Sequence, residues 1–571
     1  MKKLLALLLS LVAAAVVVAI AALYFGAGST SATSDGVILR LTLSEPLADY
    51  SPAPRIPFFG SPRGASLVDL YQTLRGARAD PQVQGLAVYI HRAALGLAQA
   101  EEVRRLIRGF ADGGKHVECY LETAGEGSNG TLAYYLATAC PVITLAPAGE
   151  LNIVGLFVDT AFFRGGLDKL KIEPEFEYAG DYKSAAESFT EFQHSSSARE
   201  ALSSLLDDLY DRIVSDVAAG RDLTASRIRQ LIDAAPYGAA QALELGLVDR
   251  LAYPDQFEDT LATAMGDGDR RWIDVADYQP PSRRFGKAKI AIAFAQGEIV
   301  RGRGGFDPWS RRMFVGADGF GEVLESLIED ESIAAVVLRV DSPGGSAQAS
   351  DLLLHQVERL AAVKPVVVSM SSLAASGGYY ISSKAHHIVA EATSLTGSIG
   401  VIAGRLLTGR FQQELLGISH DSVKRGANAD YFAGLEPMNP AQRERFVEAI
   451  ERTYDTFVGH VAAGRGMERE AVDAVAQGRI WSGQRALEKG LIDEVGGFEE
   501  ALAAAAAAAG IERENTVLVL YPRAPTLLEL LAGEGAPGLV AGWLRQHLAA
   551  PISLPYTLEV APEIGRFSTP F

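Results

Sequence analysis

Cysteine and runs of basic residues are scarce in this sequence. The 571 residues include only two cysteines, Cys119 and Cys140, too few for a disulfide-rich scaffold. A single bridge between them and a pair of buried free thiols both fit the sequence. Acidic residues outnumber basic residues by 70 to 52, which gives a net charge of −18, and no basic block follows the N-terminus. We therefore expect no nucleic acid partner.

Charge is absent from residues 4–27, a nearly continuous apolar run that follows Lys2 and Lys3. A bilayer is crossed by about 20 helical residues, so this run is long enough for a transmembrane helix. The basic residues before it predict a cytoplasmic N-terminus and an external body. A cleaved signal peptide is the alternative, because Ala19-Ile20-Ala21 resembles a cleavage site. The length of the run favours a retained anchor.

The rest of the chain is an internal duplication, and it is too long for one hydrophobic core. Tyr210-Asp211 recurs as Tyr454-Asp455, and Gly246-Leu247 recurs as Gly490-Leu491, in both cases 244 residues later. Each half alternates predicted strands and helices, which favours an α/β fold with a mainly parallel sheet. We expect domains at 36–280 and 286–509, divided near Pro280-Pro281, and a C-terminal extension, 510–571, whose role the sequence does not indicate.

One serine of the second half has the surroundings of a nucleophile. Ser376 lies between a predicted strand at residues 365–368 and a predicted small-residue helix at residues 377–384. Unpaired N–H groups and the helix dipole favour negative charge at such a position, which suits a reaction that passes through an oxyanion. The structural alternative is that Ser376 only caps the helix.

The first half has lost the matching groups. In the second half the strand 336–340 leads into Gly344-Gly345, a turn able to aim N–H groups into a cleft, whereas the first half has His91-Arg92 there. Ser376 aligns with Thr131, and the accessory hydroxyl of Ser398 aligns with Ile153.

The first half keeps a lysine that the second half lacks. Lys183 follows Gly180-Asp181-Tyr182 and has no lysine opposite it in the second half. A lysine acts as a general base only if its pKa falls from about 10.4 toward neutrality, which burial among small and aromatic neighbours can cause. Most lysines are exposed surface residues, and that alternative stays open on spacing alone.

Together these motifs resemble those of the signal peptide peptidase A family, also called protease IV, in its long duplicated form. The resemblance covers residues 36–505 and the anchor, and it rests on four motifs: Ser342-Pro343-Gly344-Gly345-Ser346, Ala375-Ser376-Gly377-Gly378-Tyr379-Tyr380, Thr396-Gly397-Ser398-Ile399-Gly400 and Gly180-Asp181-Tyr182-Lys183-Ser184-Ala185. It implies two tandem Clp-protease/crotonase-like domains, preceded by one transmembrane helix.

The resemblance also implies the roles of the site residues. Ser376 would be the nucleophile, Lys183 the general base, and Ser398 the residue that orients the lysine. Gly345 and Gly377 would donate to the oxyanion, with Gly344 shaping the turn. The implied protein is a homotetramer on the outer face of the cytoplasmic membrane that degrades cleaved signal peptides and other apolar peptides. We expect no cofactor and no metal.

Three alternatives compete with this prediction. A Ser-His-Asp triad could use His355, His386 or His387, although their sequence positions favour structural roles. A crotonase-like acyl-CoA enzyme would be separated from its cytoplasmic substrate by the membrane anchor. A membrane-anchored scaffold or chaperone with a vestigial site is the alternative without catalysis.

Overall fold

The computed structural model of this protein describes five stretches: 36–50, 66–266, 270–280, 288–307 and 312–523. Within these stretches, no helix has both the length and the apolar character needed to cross a membrane. The predicted anchor, residues 4–27, lies outside the described residues, as does the tail from residue 524 onward.

The first half is built on a parallel six-stranded sheet in the order β8-β4-β3-β2-β1-β9. Its central strands are apolar on both faces, as expected for a parallel sheet covered by helices. The strands are β1 (Gly36–Leu43), β2 (Val83–Ile90), β3 (His116–Leu121), β4 (Val142–Leu145), β5 (Glu150–Leu151), β6 (Glu173–Ala179), β7 (Tyr237–Gly238), β8 (Arg250–Leu251) and β9 (Arg270–Asp274). The helices are Leu67–Arg78, Leu97–Asp112, Thr131–Ala137, Arg164–Lys169, Glu187–Thr190, Ser196–Arg221, Ala225–Asp233, Ala239–Glu244 and Pro254–Ala264.

The second half repeats this plan in a sheet ordered β19-β17-β15-β14-β10-β21, with β16 paired to β15 and β20 paired to β16. The strands are β10 (Ala288–Gln296), β11 (Glu298–Val300), β12 (Gly304–Asp307), β13 (Arg312–Gly316), β14 (Ile333–Ser342), β15 (Val366–Ala375), β16 (His387–Ala390), β17 (Leu395–Gly397), β18 (Val401–Leu407), β19 (Ile480–Ser482), β20 (Glu494–Val495) and β21 (Thr516–Tyr521). The helices are Ala317–Glu329, Ala347–Ala361, Gly377–Ser382, Pro440–Arg465, Arg469–Val475, Gly483–Glu488 and Phe498–Ala508, with single turns at Phe411–Leu415 and Arg513–Asn515.

Equivalent side chains make equivalent contacts in the two halves. The Tyr134 hydroxyl donates to the Leu247 carbonyl at 2.7 Å, and Tyr379 donates to Leu491 at 2.8 Å. Within the C-terminal extension, Thr516–Tyr521 forms β21, which pairs with β10 as β9 pairs with β1. The sheet of the second half therefore extends past residue 509, where the sequence analysis ended that domain.

The two halves are joined by a strand from each. β6 of the first half and β18 of the second form an antiparallel pair, from Ala179 opposite Val401 to Glu173 opposite Leu407. The long helix Ser196–Arg221 docks nearby through polar contacts, with Glu200 on Arg479 and Asp208 on Arg485. This junction places the end of β6 beside the second half.

A buried guanidinium also ties the halves together. Arg339 on β14 pairs with Asp49 at 2.8 Å and with Glu102 at 2.6 Å, and all three side chains are at most 5% exposed. Removal of one member of such a buried pair typically costs about 3–5 kcal/mol, because the remaining charge is left buried. The contact lies at β14, which leads into the Gly344-Gly345 motif of the second half.

The two cysteines form a disulfide. Cys119 on β3 and Cys140 after helix Thr131–Ala137 are both buried, and their Cα atoms lie 5.7 Å apart. Of the two possibilities that the sequence left open, the structure has the bridge.

Removal of this disulfide should destabilise the first half. The residues at the equivalent positions of the second half are Val368 and Ala385, so Cys119→Val with Cys140→Ala gives an apolar replacement already used by this fold. The bridge closes a loop with a sequence separation of 21. Loss of a constraint of that length lowers the free energy of unfolding by about 3 kcal/mol. Urea unfolding of the double variant and of wild type checks this, and equal midpoints under oxidising conditions would contradict it.

Candidate active site

Ser376 lies at a sharp turn between β15 and the helix Gly377–Ser382. Its backbone has φ 53° and ψ −118°, a region that non-glycine residues rarely occupy. The turn is held by the Ser376 N–H, which donates to the Gly397 carbonyl at 2.8 Å. The side chain makes no capping hydrogen bond to its helix. Its hydroxyl is therefore available for another partner.

That partner is Lys183 from the first half. The Lys183 Nζ lies 3.2 Å from Oγ of Ser376 and 2.9 Å from both Oγ and the carbonyl oxygen of Ser398. No carboxylate in the described part of the chain forms an ion pair with this amine. Burial lowers the pKa of Lys183 from 10.5 to about 7. A large share of the lysine is thus neutral at neutral pH and able to accept a proton.

The glycine turn lies on the other side of Ser376. Gly344 and Gly345 have φ values of 97° and 147°, which favour glycine. The turn is fixed to β11, because Ile299 N–H donates to the Gly344 carbonyl at 2.7 Å. The Gly344 N–H donates to the Ser342 hydroxyl oxygen. The N–H groups of Gly345 and Gly377 have no acceptor among the described residues. These two N–H groups are free to bind an oxyanion beside Ser376.

Comparisons with known proteins identify the family of the chain. The sequence model of Peptidase family S49 matches residues 121–266 and 358–512, one segment in each half. The chain belongs to peptidase family S49. It is 31% identical over 512 residues to the chloroplastic serine protease SPPA of Arabidopsis thaliana, covering 88% of this chain and 74% of that protein. It is 32% identical over 507 residues to Protease 4 of Haemophilus influenzae, covering 84% and 80% of the two chains.

Protease 4 of Salmonella typhi is similar to the same extent, with 31% identity over 504 residues that cover 86% of this chain and 79% of that one. This S49 member is therefore a serine peptidase, as the motifs predicted. The alternative of a scaffold without catalysis is not supported.

Contacts between the two halves of the S49 peptidase fix the position of Lys183. After β6, Gly180 adopts φ 109° and Tyr182 N–H donates to the Gln477 carbonyl at 2.7 Å. Gly478 lies so close that a Cβ there would be 2.6 Å from Cβ of Lys183. The pair Gln477-Gly478 of the second half thus fixes the lysine loop of the first half.

The same segment positions Ser398. The Ser398 N–H donates to the Arg479 carbonyl at 2.7 Å, and the Gly478 N–H donates to the Ile399 carbonyl at 2.7 Å. The Arg479 guanidinium stacks over Tyr182, 4.8 Å from the ring centre. Residues 477–479 were not predicted from the sequence. The available signal was the presence of a glycine at 478, where the structure has φ 77° and a close backbone approach.

In the first half, the residue equivalent to Ser376 is Thr131, and its hydroxyl is hydrogen-bonded. Thr131, the counterpart of Ser376, accepts from Gly155 N–H at 3.0 Å and lies 3.3 Å from the Gly155 carbonyl. Its side chain is buried against that loop. The hydroxyl of Thr131 is therefore not available as a nucleophile.

The structure gives no support to a histidine triad. His386 accepts from Val366 N–H at 3.1 Å, and His387 lies 3.0 Å from Glu494. His355 is exposed on the helix Ala347–Ala361. In the described structure, none of the three histidines hydrogen-bonds to Ser376, so the roles are structural or solvent-facing.

Proposed function

We propose that this S49 peptidase is a membrane-anchored endopeptidase that uses Ser376 and Lys183 to degrade cleaved signal peptides and other apolar peptides. The observation that carries the proposal is the 3.2 Å approach of a buried lysine amine to a serine hydroxyl beside two free N–H groups. No other polar group reaches the Ser376 hydroxyl within the described residues.

The proposed reaction is acyl transfer. Neutral Lys183 accepts the Ser376 proton while Oγ attacks the peptide carbonyl, and the N–H groups of Gly345 and Gly377 stabilise the oxyanion. The tetrahedral intermediate expels the amine, which takes the proton from the Lys183 ammonium and leaves an acyl-enzyme. Lys183 then accepts a proton from water while the water oxygen attacks the ester. The second tetrahedral intermediate breaks its bond to Oγ of Ser376, which takes the proton back from Lys183, and the carboxylic acid product leaves. The hydroxyl and the carbonyl oxygen of Ser398 accept from Nζ and keep the amine aimed at Ser376.

The substrate and location rest on the sequence. Residues 4–27 are apolar and preceded by two lysines, which supports a single span with the body on the outer, periplasmic face of the cytoplasmic membrane. An enzyme held there meets the apolar cores of signal peptides, which are also the substrates that the family resemblance implies.

A serine-directed fluorophosphonate tests the proposal. The full-length protein in detergent is given a fluorogenic apolar peptide and a polar peptide of equal length, before and after labelling. We expect faster hydrolysis of the apolar peptide, its loss on labelling, and the label on Ser376 rather than on Thr131. A label elsewhere, or turnover by a fully labelled enzyme, would overturn the proposal.

Peptide hydrolysis should depend on the protonation of Lys183. With a pKa of about 7, the lysine is charged and unable to accept a proton in acid, and it becomes neutral as the pH rises. We expect kcat/KM to rise through an apparent pKa near 7 and then level off. Measurements from pH 5.5 to 9 check this, and a rate that stays flat between pH 6 and 8 would contradict it.

We further propose a homotetramer in which the halves of neighbouring copies pair as the two halves of one chain do. The counterparts of β6 and β18 are residues 418–424 and 156–162, and in the single chain neither segment forms a strand. Phe157 is 77% exposed and Val423 is 84% exposed. They are the counterparts of Ile402 and Tyr178, which lie opposite each other in the β18–β6 pair.

This arrangement supports a head-to-tail ring, since each copy offers one segment of each kind. Phe157→Asp and Val423→Lys should each shift the full-length protein in detergent to smaller species in sedimentation velocity. The two variants mixed together should reassociate through the new charge pair. Leu352→Asp, which alters an exposed leucine elsewhere, is the control and should leave the size unchanged. Unchanged size in both single variants would contradict this interface.

A further inference from the structure

The strand that carries Ser376 contains a bulge just before the site. β14 and β15 pair in register up to Val340 opposite Met370, and pairing resumes with Ser342 opposite Ala374. Asp341 alone therefore lies opposite the three residues 371–373. A bulge bends and re-aims the strand that contains it. Here the strand continues for only two more residues before Ser376.

Each bulge residue has its own contact. The Ser371 hydroxyl donates to Asp49 of the first half at 3.0 Å. Ser372 packs on Gly96 of the first half so closely that a Cβ on Gly96 would lie 2.1 Å from Oγ of Ser372 and 2.8 Å from its Cβ. The Leu373 N–H donates to the Asp341 carboxylate at 3.1 Å. The shape of the bulge is thus set from β14 and from the first half.

Asp341 stands at the point where the two parts of the site diverge. Three residues after Asp341, the chain reaches Gly344 of the oxyanion turn; three residues after Leu373, it reaches Ser376. The two parts meet again at the site, since a Cβ on Gly344 would lie 2.8 Å from Cβ of Ser376. The Asp341–Leu373 hydrogen bond joins the residues from which these two segments start.

The contact does not require a charged Asp341. The nearby guanidinium of Arg339 is held by Asp49 and Glu102. Burial and the charge of Asp49 raise the pKa of Asp341 to about 7. A protonated carboxyl still has a carbonyl oxygen that accepts from Leu373 N–H, and the side-chain amide of asparagine offers the same oxygen.

We propose that Asp341 is a positioning residue that holds the bulge at residues 371–373 and thereby sets the distance between Ser376 and the oxyanion turn. The inference rests on the proposed roles of Ser376 and Lys183. It gives the first half a second part in catalysis, because Gly96 and Asp49 shape the same bulge.

The test compares Asp341→Asn, which keeps the acceptor, with Asp341→Leu, which keeps the size and removes it. A displacement of about 1 Å at a reacting atom can cost about 100-fold in rate. We expect Asp341→Leu to lower kcat by about that factor with KM nearly unchanged, and Asp341→Asn to stay within about threefold of wild type. His91→Leu, at the equivalent position after β2, is the control and should retain full activity.

A second pair of variants covers the case in which Asp341→Leu does not fold. Gly96→Ala, whose backbone φ of −67° suits alanine, should push Ser372 and lower kcat. Gly96→Ala with Ser372→Gly should restore it. Wild-type kcat in Asp341→Leu or in Gly96→Ala overturns the inference. So does an Asp341→Asn variant as slow as Asp341→Leu.

Fluorophosphonate labelling separates this inference from the proposed function. If wild type is not labelled on Ser376, the proposed function fails whatever Asp341 does. If wild type is labelled on Ser376 and Asp341→Leu reacts at the same rate, only the positioning role of Asp341 fails.

Discussion

Replacement of Ser376 by alanine is expected to lower kcat/KM for an apolar peptide by about 10⁴- to 10⁶-fold, the range seen when a serine nucleophile is removed. Among the described residues, the hydroxyl hydrogen-bonds to Lys183 alone and makes no capping bond. The variant should therefore fold as wild type does, with a melting temperature within about 2 °C, because deletion of one hydroxyl removes little packing.

The matched control is Thr131→Ala in the first half. Thr131 occupies the same position after the duplication, but its hydroxyl is bonded to Gly155. We expect full peptidase activity and a small loss of stability, about 1 kcal/mol, from the lost hydrogen bond. Activity above about 1% of wild type in purified Ser376→Ala would move the nucleophile elsewhere.

Lys183→Met should abolish activity to a similar degree, because the base acts only together with the nucleophile. Methionine fills the buried volume of the lysine stem but accepts no proton from Ser376. Lys169→Met, at an exposed lysine of the same half, is the control and should keep its activity. Retention of the wild-type rate in Lys183→Met would place the base elsewhere.

The same variant should change how stability depends on pH. In wild type the folded lysine has a pKa of about 7, and the unfolded chain has one near 10.5. Between these values the unfolded chain binds a proton that the folded chain does not, so the free energy of unfolding rises with pH, by up to about 1.4 kcal/mol per unit. Lys183→Met removes this contribution. The free energy of unfolding of the variant minus that of wild type should therefore be more positive at pH 6 than at pH 9.5. Urea unfolding of both proteins at both pH values would show this.

The sequence predicted the fold class and the duplication because both depend on patterns repeated along the chain. It also predicted the candidate site residues, because the four motifs that contain them can be recognised from residue order alone, without knowledge of contacts. The structure brings Ser376, Lys183 and Ser398 together within hydrogen-bonding distance and places Gly344, Gly345 and Gly377 beside them.

Contacts between the halves could not be predicted, because they depend on how two sheets dock. The sequence shows Arg339 inside an apolar strand but does not indicate that Asp49 and Glu102 surround it. It likewise contains no sign that β6 and β18 pair across the junction. The sequence could not decide whether Cys119 and Cys140 pair for the same reason, since only the fold brings them within reach.

The junction between β6 and β18 has a consequence for the time at which the enzyme becomes active. Lys183 is synthesised well before Ser376, and Gln477-Gly478, which hold its loop, come later still. A ribosome-bound chain that has completed only its first half holds the proposed base, Lys183, without the proposed nucleophile, Ser376. The contact between them cannot form until the second half has been synthesised as far as Gly478.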